Sequence, residues 1–331
     1  MMDYEIFLGV VKEKFMDYMP ERYQGGKLEI RNVNKVNATW DGLNIRMPEN
    51  ESISPTIYVN KLYEQYRETG NLDATLHVAA AEYTEILEQT MTKKPEIDIN
   101  EMKDNVIFVL VNSEQNRELL ANVPSKPFQD LSVIFRWVIS QDVKGMASTI
   151  VTTDMMEQAG LTVESLMEHA IENTKHICPP KISSMQEVML ESVPDDFEPE
   201  LMGMLRELEE NPQETTWIIT TESGINGASA MLYEENLHKL AEKVGTDMYL
   251  LPSSIHEWIA VSVNRGEPSQ LAEMVQEINM TAVNLEERLS NNVYHYDKDL
   301  RKVTMATDVP NKRLDGIVAE PPMLYEAERK R

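Results

Sequence analysis
Apolar residues in this sequence recur at two periods, and the switch between them predicts an α+β chain. In "MMDYEIFLGVVKEKFMDYMP", Ile6, Phe7, Val10, Val11, Phe15 and Tyr18 fall at helical spacing. From Lys27, "KLEIRNVNKVNATWDGLNIRMP" alternates apolar and polar residues, as half-buried strands do. Asp41 and Gly42 within it form a dipeptide favoured in tight hairpin turns, so two or three antiparallel strands are predicted. "PTIYV" adds a further strand. "NKLYEQYRETG" then returns to helical spacing and stops at Gly70, the residue type that caps helices. A second helix, Asp73 to Thr92, places Leu76, Ala79, Ala80, Tyr83 and Leu87 on one face.

Further along, "NVIFVLV" and "LSVIFRWVIS" read as strands, "TVESLMEHAIENT" as a helix and "DMYLLPSSIHEWIAVSV" as strand, turn and strand. "SQLAEMVQEINMT" reads as a helix, followed by a final hairpin, "VYHYDKDLRKVTMA". Two segments share an order of events: one begins at Trp137, and the other, "WIITTESGINGASAMLYEENLHKLAEKVG", begins at Trp217. Each offers an aromatic-led strand, a glycine-containing loop, Ala-Ser, a second strand and a helix, which predicts a duplicated ββα unit. The expected architecture is mixed or antiparallel sheets with flanking helices. It divides into a lobe at 1–95, a larger lobe at 96–305 and a flexible tail at 306–331.

Charge limits the partners. Against 31 basic residues stand 56 acidic ones, a net charge of −25, which repels nucleic-acid backbones and anionic lipids alike. Ten acids and one arginine occupy Glu187 to Glu214. There "EPELMGMLRELEEN" spaces Leu201, Met204, Leu205 and Leu208 on one helical face and leaves Glu207, Glu209 and Glu210 as candidate contacts for a basic protein partner. No apolar run is long enough to span a bilayer; the longest, Val106 to Val111, is far too short. Cys178 is the only cysteine, which fits a reducing cytoplasm and reads as an inert thiol beside two prolines.

Two stretches invite a chemical reading. "TTESGINGASAMLY" resembles a phosphate cradle, but Gly227 is followed by Ala228 and Ser229 where a phosphate loop needs a lysine and a hydroxyl. Gly224, Asn226 and Gly227 are therefore expected to supply positive φ angles in a hairpin turn, with Asn226 and Gly227 as the candidates for any ligand. "LPSSIHEW" brings Ser253, Ser254, His256 and Glu257 together as nucleophile, base and carboxylate types. Neighbours along a strand point in different directions, so a turn with satisfied hydroxyls and a half-buried histidine is the expected structure. The six histidines show no metal-binding spacing, and no cofactor is predicted.

"PTIYVNKLYEQY", "FQDLSVIFRWVIS" and "MYLLPSSIHEWIAV", with the preceding "NGASAMLY", resemble a family of domains of unknown function found in gut Firmicutes and their mobile elements. More distantly, the arrangement is similar to YtpQ-type bacterial proteins. The resemblance covers the chain to about Ala306 and implies an intracellular bacterial protein; it carries over no catalytic residue. The sequence therefore reads foremost as a non-enzymatic, cytosolic interaction module with an acidic surface. The alternatives are a hydrolase or small-ligand enzyme at Ser254, His256 and Glu257, and a nucleic-acid mimic of a mobile element.

Overall fold
The structure, a computed structural model, describes residues 1–47, 55–92, 98–142, 145–191 and 211–309. The chain divides into two compact units, Met1–Ile97 and Asp98–Arg331.

In the first unit, helix α1 (Tyr4–Lys14) precedes the antiparallel strands β1 (Lys27–Lys35), β2 (Ala38–Arg46) and β3 (Ile57–Tyr58), then helices α2 (Val59–Thr69) and α3 (Leu72–Thr92). The helical stripes behave as their spacing predicts. Phe7, Val11 and Phe15 meet Leu43 and Ile45 of β2, Leu62 and Tyr66 of α2, and Leu76, Ala79, Ala80, Tyr83 and Leu87 of α3. Ile6 instead stays exposed. Tyr83 keeps its hydroxyl paired inside this core, accepting from the Ile45 N–H and donating to the Pro55 carbonyl. Gly70 ends α2 with φ +65°.

The predicted Asp41–Gly42 turn lies elsewhere. Lys35 pairs with Ala38, so Val36 and Asn37 make the turn and Asn37 takes φ +59°. Asp41 and Gly42 sit mid-strand, with Gly42 opposite both Arg31 and Tyr58. A Cβ at Gly42 would come within 2.7 Å of Val33 and 2.8 Å of Thr56, so glycine serves close strand approach here, not chain reversal.

Among the described residues, the second unit holds two antiparallel sheets. In the four-stranded one, β6 (Leu131–Asp142) pairs with β4 (Val106–Asn112) along one edge, and with β5 (Ser125–Phe128) and then β7 (Gly145–Ile150) along the other. Short helix α4 (Thr153–Gln158) and the longer α5 (Val163–Ile177) follow. Every residue of β4 is buried although the strand is an edge. Helix α5 guards that edge: Thr174 accepts from the Phe108 N–H, and Asn173 donates to the Lys103 and Val106 carbonyls.

After β8 (Pro180–Ser184) and α6 (Met185–Glu191) come β9 (Trp217–Thr221), helix α7 (Glu234–Val244), β10 (Met248–Ser254) and β11 (Glu257–Ser262). Helix α8 (Pro268–Thr281), β12 (Tyr294–Asp297) and β13 (Lys302–Met305) complete the unit. Its six strands run in the order β13-β12-β10-β11-β9-β8, all antiparallel. Trp217, Ile219, Leu250, Trp258, Ala260, Tyr294 and Tyr296 face Phe108, Leu110, Phe135 and Trp137 of the other sheet across one core, which also takes Leu237, Leu240 and Val244 of α7. On the opposite face Leu251 and Val261 pack against Leu271, Ala272 and Val275 of α8. The α+β class with antiparallel sheets and helices holds.

The duplicated ββα unit does not. Its first copy folds as β6, β7 and α4, but in the second Gly227–Leu232 is a 3-10 helix. The reason is topological: β9 already pairs with β8 on one edge and β11 on the other. With no free edge, the apolar segment buries Ala228, Ala230 and Met231 in the core instead. The predicted amphipathic helix over Leu201 to Leu208 lies outside the described residues, as does the tail from 310 onward. Residues 306–309 are held, with the Val309 N–H donating to Asn292.

A buried polar segment, Leu289–Val293, joins the two sheets. Asp130, in the β5–β6 turn, accepts from the Ser290 hydroxyl at 2.6 Å, the Asn292 amide at 3.0 Å and the Tyr294 hydroxyl. Asn112 donates to the Leu289 carbonyl, and Asn279 of α8 to Ser290 and Asn291. Replacing Asp130 with alanine removes the shared acceptor of these three donors and is expected to lower the unfolding free energy by about 3 kcal/mol in urea titrations. Burial and the Asp130 charge hold the Tyr294 phenol well above its ordinary value. A phenol raised in the fold stabilises fully below the unfolded value near 10 and loses that contribution as pH rises past it. The stability gap between wild type and Tyr294→Phe should therefore narrow from pH 9 to 11; a constant gap would show that Tyr294 does not titrate this way.

Candidate functional site
The two stretches singled out from sequence meet in space. The His256 turn closes the β10–β11 hairpin, and the loop after β9 lies against it. Asn226 donates its backbone N–H to His256 Nδ1 at 3.1 Å, Thr220 donates its hydroxyl to the His256 carbonyl at 2.8 Å, and Ala228 donates its N–H to the Ile255 carbonyl. Trp258 Nε1 donates to the Ala228 carbonyl at 2.9 Å.

This geometry fixes the imidazole. A ring nitrogen that accepts a hydrogen bond carries no proton, so the ring proton sits on Nε2, which faces Glu287 Oε1 at 3.7 Å. Ser254 is not hydrogen-bonded to the ring; its hydroxyl accepts from the His256 backbone N–H at 3.0 Å. Ser253 donates to Glu257 Oε1 at 3.0 Å. Ser254, His256 and Glu257 are thus neighbours whose side chains serve the turn separately, and the carboxylate facing His256 belongs to Glu287. The sequence could not signal that partner, which lies 31 positions downstream.

The glycine loop divides its labour. Gly224 and Asn226 take the expected positive φ values of +70° and +52°. Gly227 does not; it is glycine because a Cβ there would stand 2.2 Å from Thr220 Oγ1 and 2.3 Å from the His256 carbonyl oxygen. The Asn226 backbone N–H and the absent Cβ of Gly227 are what let the two turns pack together.

Concave surfaces lie on both faces of the six-stranded sheet. Between α8 and β10–β11 is a cavity of about 280 Å³, floored by Leu251, Ile259 and Val261 and walled by Met274, Val275 and Ile278. Arg265 stands at this groove and donates to the Glu214 carbonyl. On the other face, between α7 and β8–β9, a second cavity of about 280 Å³ is lined by Asn236, Lys239 and Lys243 beside Ile182, Trp217 and Leu240. Sequence reading missed both, because each wall comes from a different segment. The only advance signals were the apolar and lysine stripes of α8 and α7.

Cys178 is 3% exposed, and burial pushes its thiol up to about 11. Among the described residues, no three His, Cys, Asp or Glu side chains are grouped to hold a metal ion, and no helix is long and apolar enough to cross a membrane. Glu207, Glu209 and Glu210 lie outside the described residues.

The chain belongs to DUF5688, a family of unknown function, whose profile matches residues 4–298 and so spans both units. No curated protein and no solved structure matches it.

Gly227→Ala must displace backbone on two sides and is expected to cost about 3 kcal/mol, as overpacking does. Gly224→Ala meets nothing within 4 Å and should cost only the left-handed strain of about 1 kcal/mol. Urea titration of both variants checks the order. Cys178 is expected to resist iodoacetamide at pH 8 in the folded protein and to react once unfolded, read by intact mass.

Proposed function
We propose that this DUF5688 chain is a protein-interaction module that captures a basic, amphipathic segment of another protein. The observation that carries the reading is the groove beside α8. Met274 and Ile278, four residues apart, remain 47% and 41% exposed along an apolar floor. Glu273 and Glu277, also exposed, repeat the same spacing one residue earlier. An apolar pair beside an acidic pair complements a helix that carries apolar residues at i and i+4 with Lys or Arg alongside. The net charge of −25 would steer such a cation toward the surface and set its association rate.

The acidic run with Glu207, Glu209 and Glu210 extends the same field in this reading. The single cysteine supports a reducing cytoplasm. An origin in gut Firmicutes and their mobile elements, and a distant kinship with YtpQ-type proteins, rest on the quoted sequence stretches alone. Among the described residues, neither a hydrolase at Ser254, His256 and Glu257 nor nucleic-acid mimicry gains a specific supporting contact.

The test is fluorescence anisotropy with a labelled Leu/Lys amphipathic peptide and its Leu/Glu counterpart. Only the basic peptide is expected to bind. Met274→Ser with Ile278→Ser should weaken it at least tenfold through faster dissociation, because the apolar anchor is lost. Glu273→Gln with Glu277→Gln should mainly slow association and flatten its salt dependence, and Glu207, Glu209 and Glu210 to Gln should do the same. Equal binding of both peptides, or of the basic peptide to wild type and the Met274/Ile278 variant, would sink the reading.

A further inference from the structure
Helix α7 separates its charges. Glu234, at its start, is gripped through both carboxylate oxygens by Arg301, at 2.7 and 2.6 Å, and also accepts from Tyr296. Arg301 accordingly holds the Glu234 carboxyl below its ordinary range. Glu242 lies 3.7 Å from His238. Asn236, Lys239 and Lys243, spaced three and then four apart, share another stripe and line the cavity between α7 and β8–β9.

Those three groups are unspent. Among the described residues, the Asn236 side-chain amide and the Lys239 and Lys243 ammonium groups make no hydrogen bond or ion pair. Lys243 is nevertheless positioned, with its Nζ 4.2 Å from the centroid of the buried Trp217 ring. Like charges four residues apart on a helix repel by a few tenths of a kcal/mol. The helix dipole offsets this for Lys243, in the last turn, but not for Lys239. In a chain of net charge −25, two unpaired ammonium groups converging on one concavity form a local reversal of sign.

The cavity is amphipathic. Opposite its nitrogen donors lie Ile182, Trp217 and Leu240, and its volume of about 280 Å³ exceeds the roughly 150 Å³ that holds a benzene ring. A neighbouring hollow of about 480 Å³ shares Pro180 and Asn236 with it but sets Lys175 and Tyr233 beside Glu234 and Glu235, so the excess of positive charge is confined to the cavity of Lys239 and Lys243. We propose that this cavity binds a small anion with a flat apolar body, its carboxylate or phosphate oxygens on Lys239 and Lys243 and its body against Ile182, Trp217 and Leu240. The site lies on the opposite face of the sheet from the α8 groove and stands whether or not that groove binds a partner.

The chain has four tryptophans, so a ¹⁵N spectrum offers four indole signals, and Trp217→Phe identifies that of Trp217. Phenyl phosphate, benzoate and inorganic phosphate are titrated to about 10 mM, ample for a millimolar site. Phenyl phosphate or benzoate is expected to shift the Trp217 signal saturably and at least tenfold more tightly than inorganic phosphate. The tighter of the two identifies the head group as phosphate or carboxylate. Lys239→Gln with Lys243→Gln should weaken binding at least tenfold while the other three indole signals stay in place, which shows that the fold is retained. The proposal is overturned if no probe moves the Trp217 signal, if the response is equal in the double variant, or if inorganic phosphate binds as tightly as phenyl phosphate.

Discussion

One carboxylate holds the larger unit in register. Asp130 sits in the two-residue turn between β5 and β6, yet its oxygens accept from Ser290, Asn292 and Tyr294, on the far side of the core. Around it the segment Leu289–Val293 has no regular ladder of its own, so its buried polar groups must be satisfied side chain by side chain. Asn112 comes from the four-stranded sheet, Asn279 from α8 and Asn292 from the segment itself, where it also takes the Val309 N–H. A network of this kind is costly if any member is missing, because each unpaired buried donor keeps its full desolvation penalty. Its completeness fixes where β12 enters beside β10. It also fixes how α8 lies over the sheet, and thereby the shape of the groove beneath that helix.

Periodic features were legible in the sequence because they are local. The stripe Leu76, Ala79, Ala80, Tyr83 and Leu87, the run Val106–Val111 and the paired strands around "LPSSIHEW" all carry their burial in their own spacing. Features decided by distant neighbours were not. Asp41–Gly42 has the composition of a turn, but a strand on each side needs its glycine for close approach. "ASAMLY" has the composition of a strand, but both edges of β9 are taken. The run Ser290, Asn291, Asn292 has the composition of a solvated loop and is among the most buried parts of the chain. In each case composition describes what a segment tolerates, while the pairing partner decides what it does.

The candidate site follows the same rule. Read along the chain, the glycine loop and the His256 turn are two separate weak motifs 30 positions apart. Folded, they form one unit in which Gly227 exists to let the His256 carbonyl approach, and the Asn226 N–H sets the tautomer of the ring. The serines and Glu257 bond within the His256 turn itself, while His256 alone of that cluster bonds to the glycine loop and its strand. Among the described residues, Asn236, Lys239 and Lys243 of α7 line a cavity with their polar ends unspent, on a helix where no motif drew attention.

The two grooves place opposite charges on opposite faces of one sheet, and physical distance makes this compatible with a strongly acidic chain. At physiological ionic strength, fields between exposed charges fade over about 8 Å. The acids elsewhere on the surface therefore act mainly on approaching macromolecules, while the field inside the α7 cavity is set by Lys239 and Lys243 at contact range. Added salt separates the two effects. It should slow encounter with a cationic segment at α8, which depends on the summed charge, more than it weakens a small anion already seated between two ammonium groups and an indole.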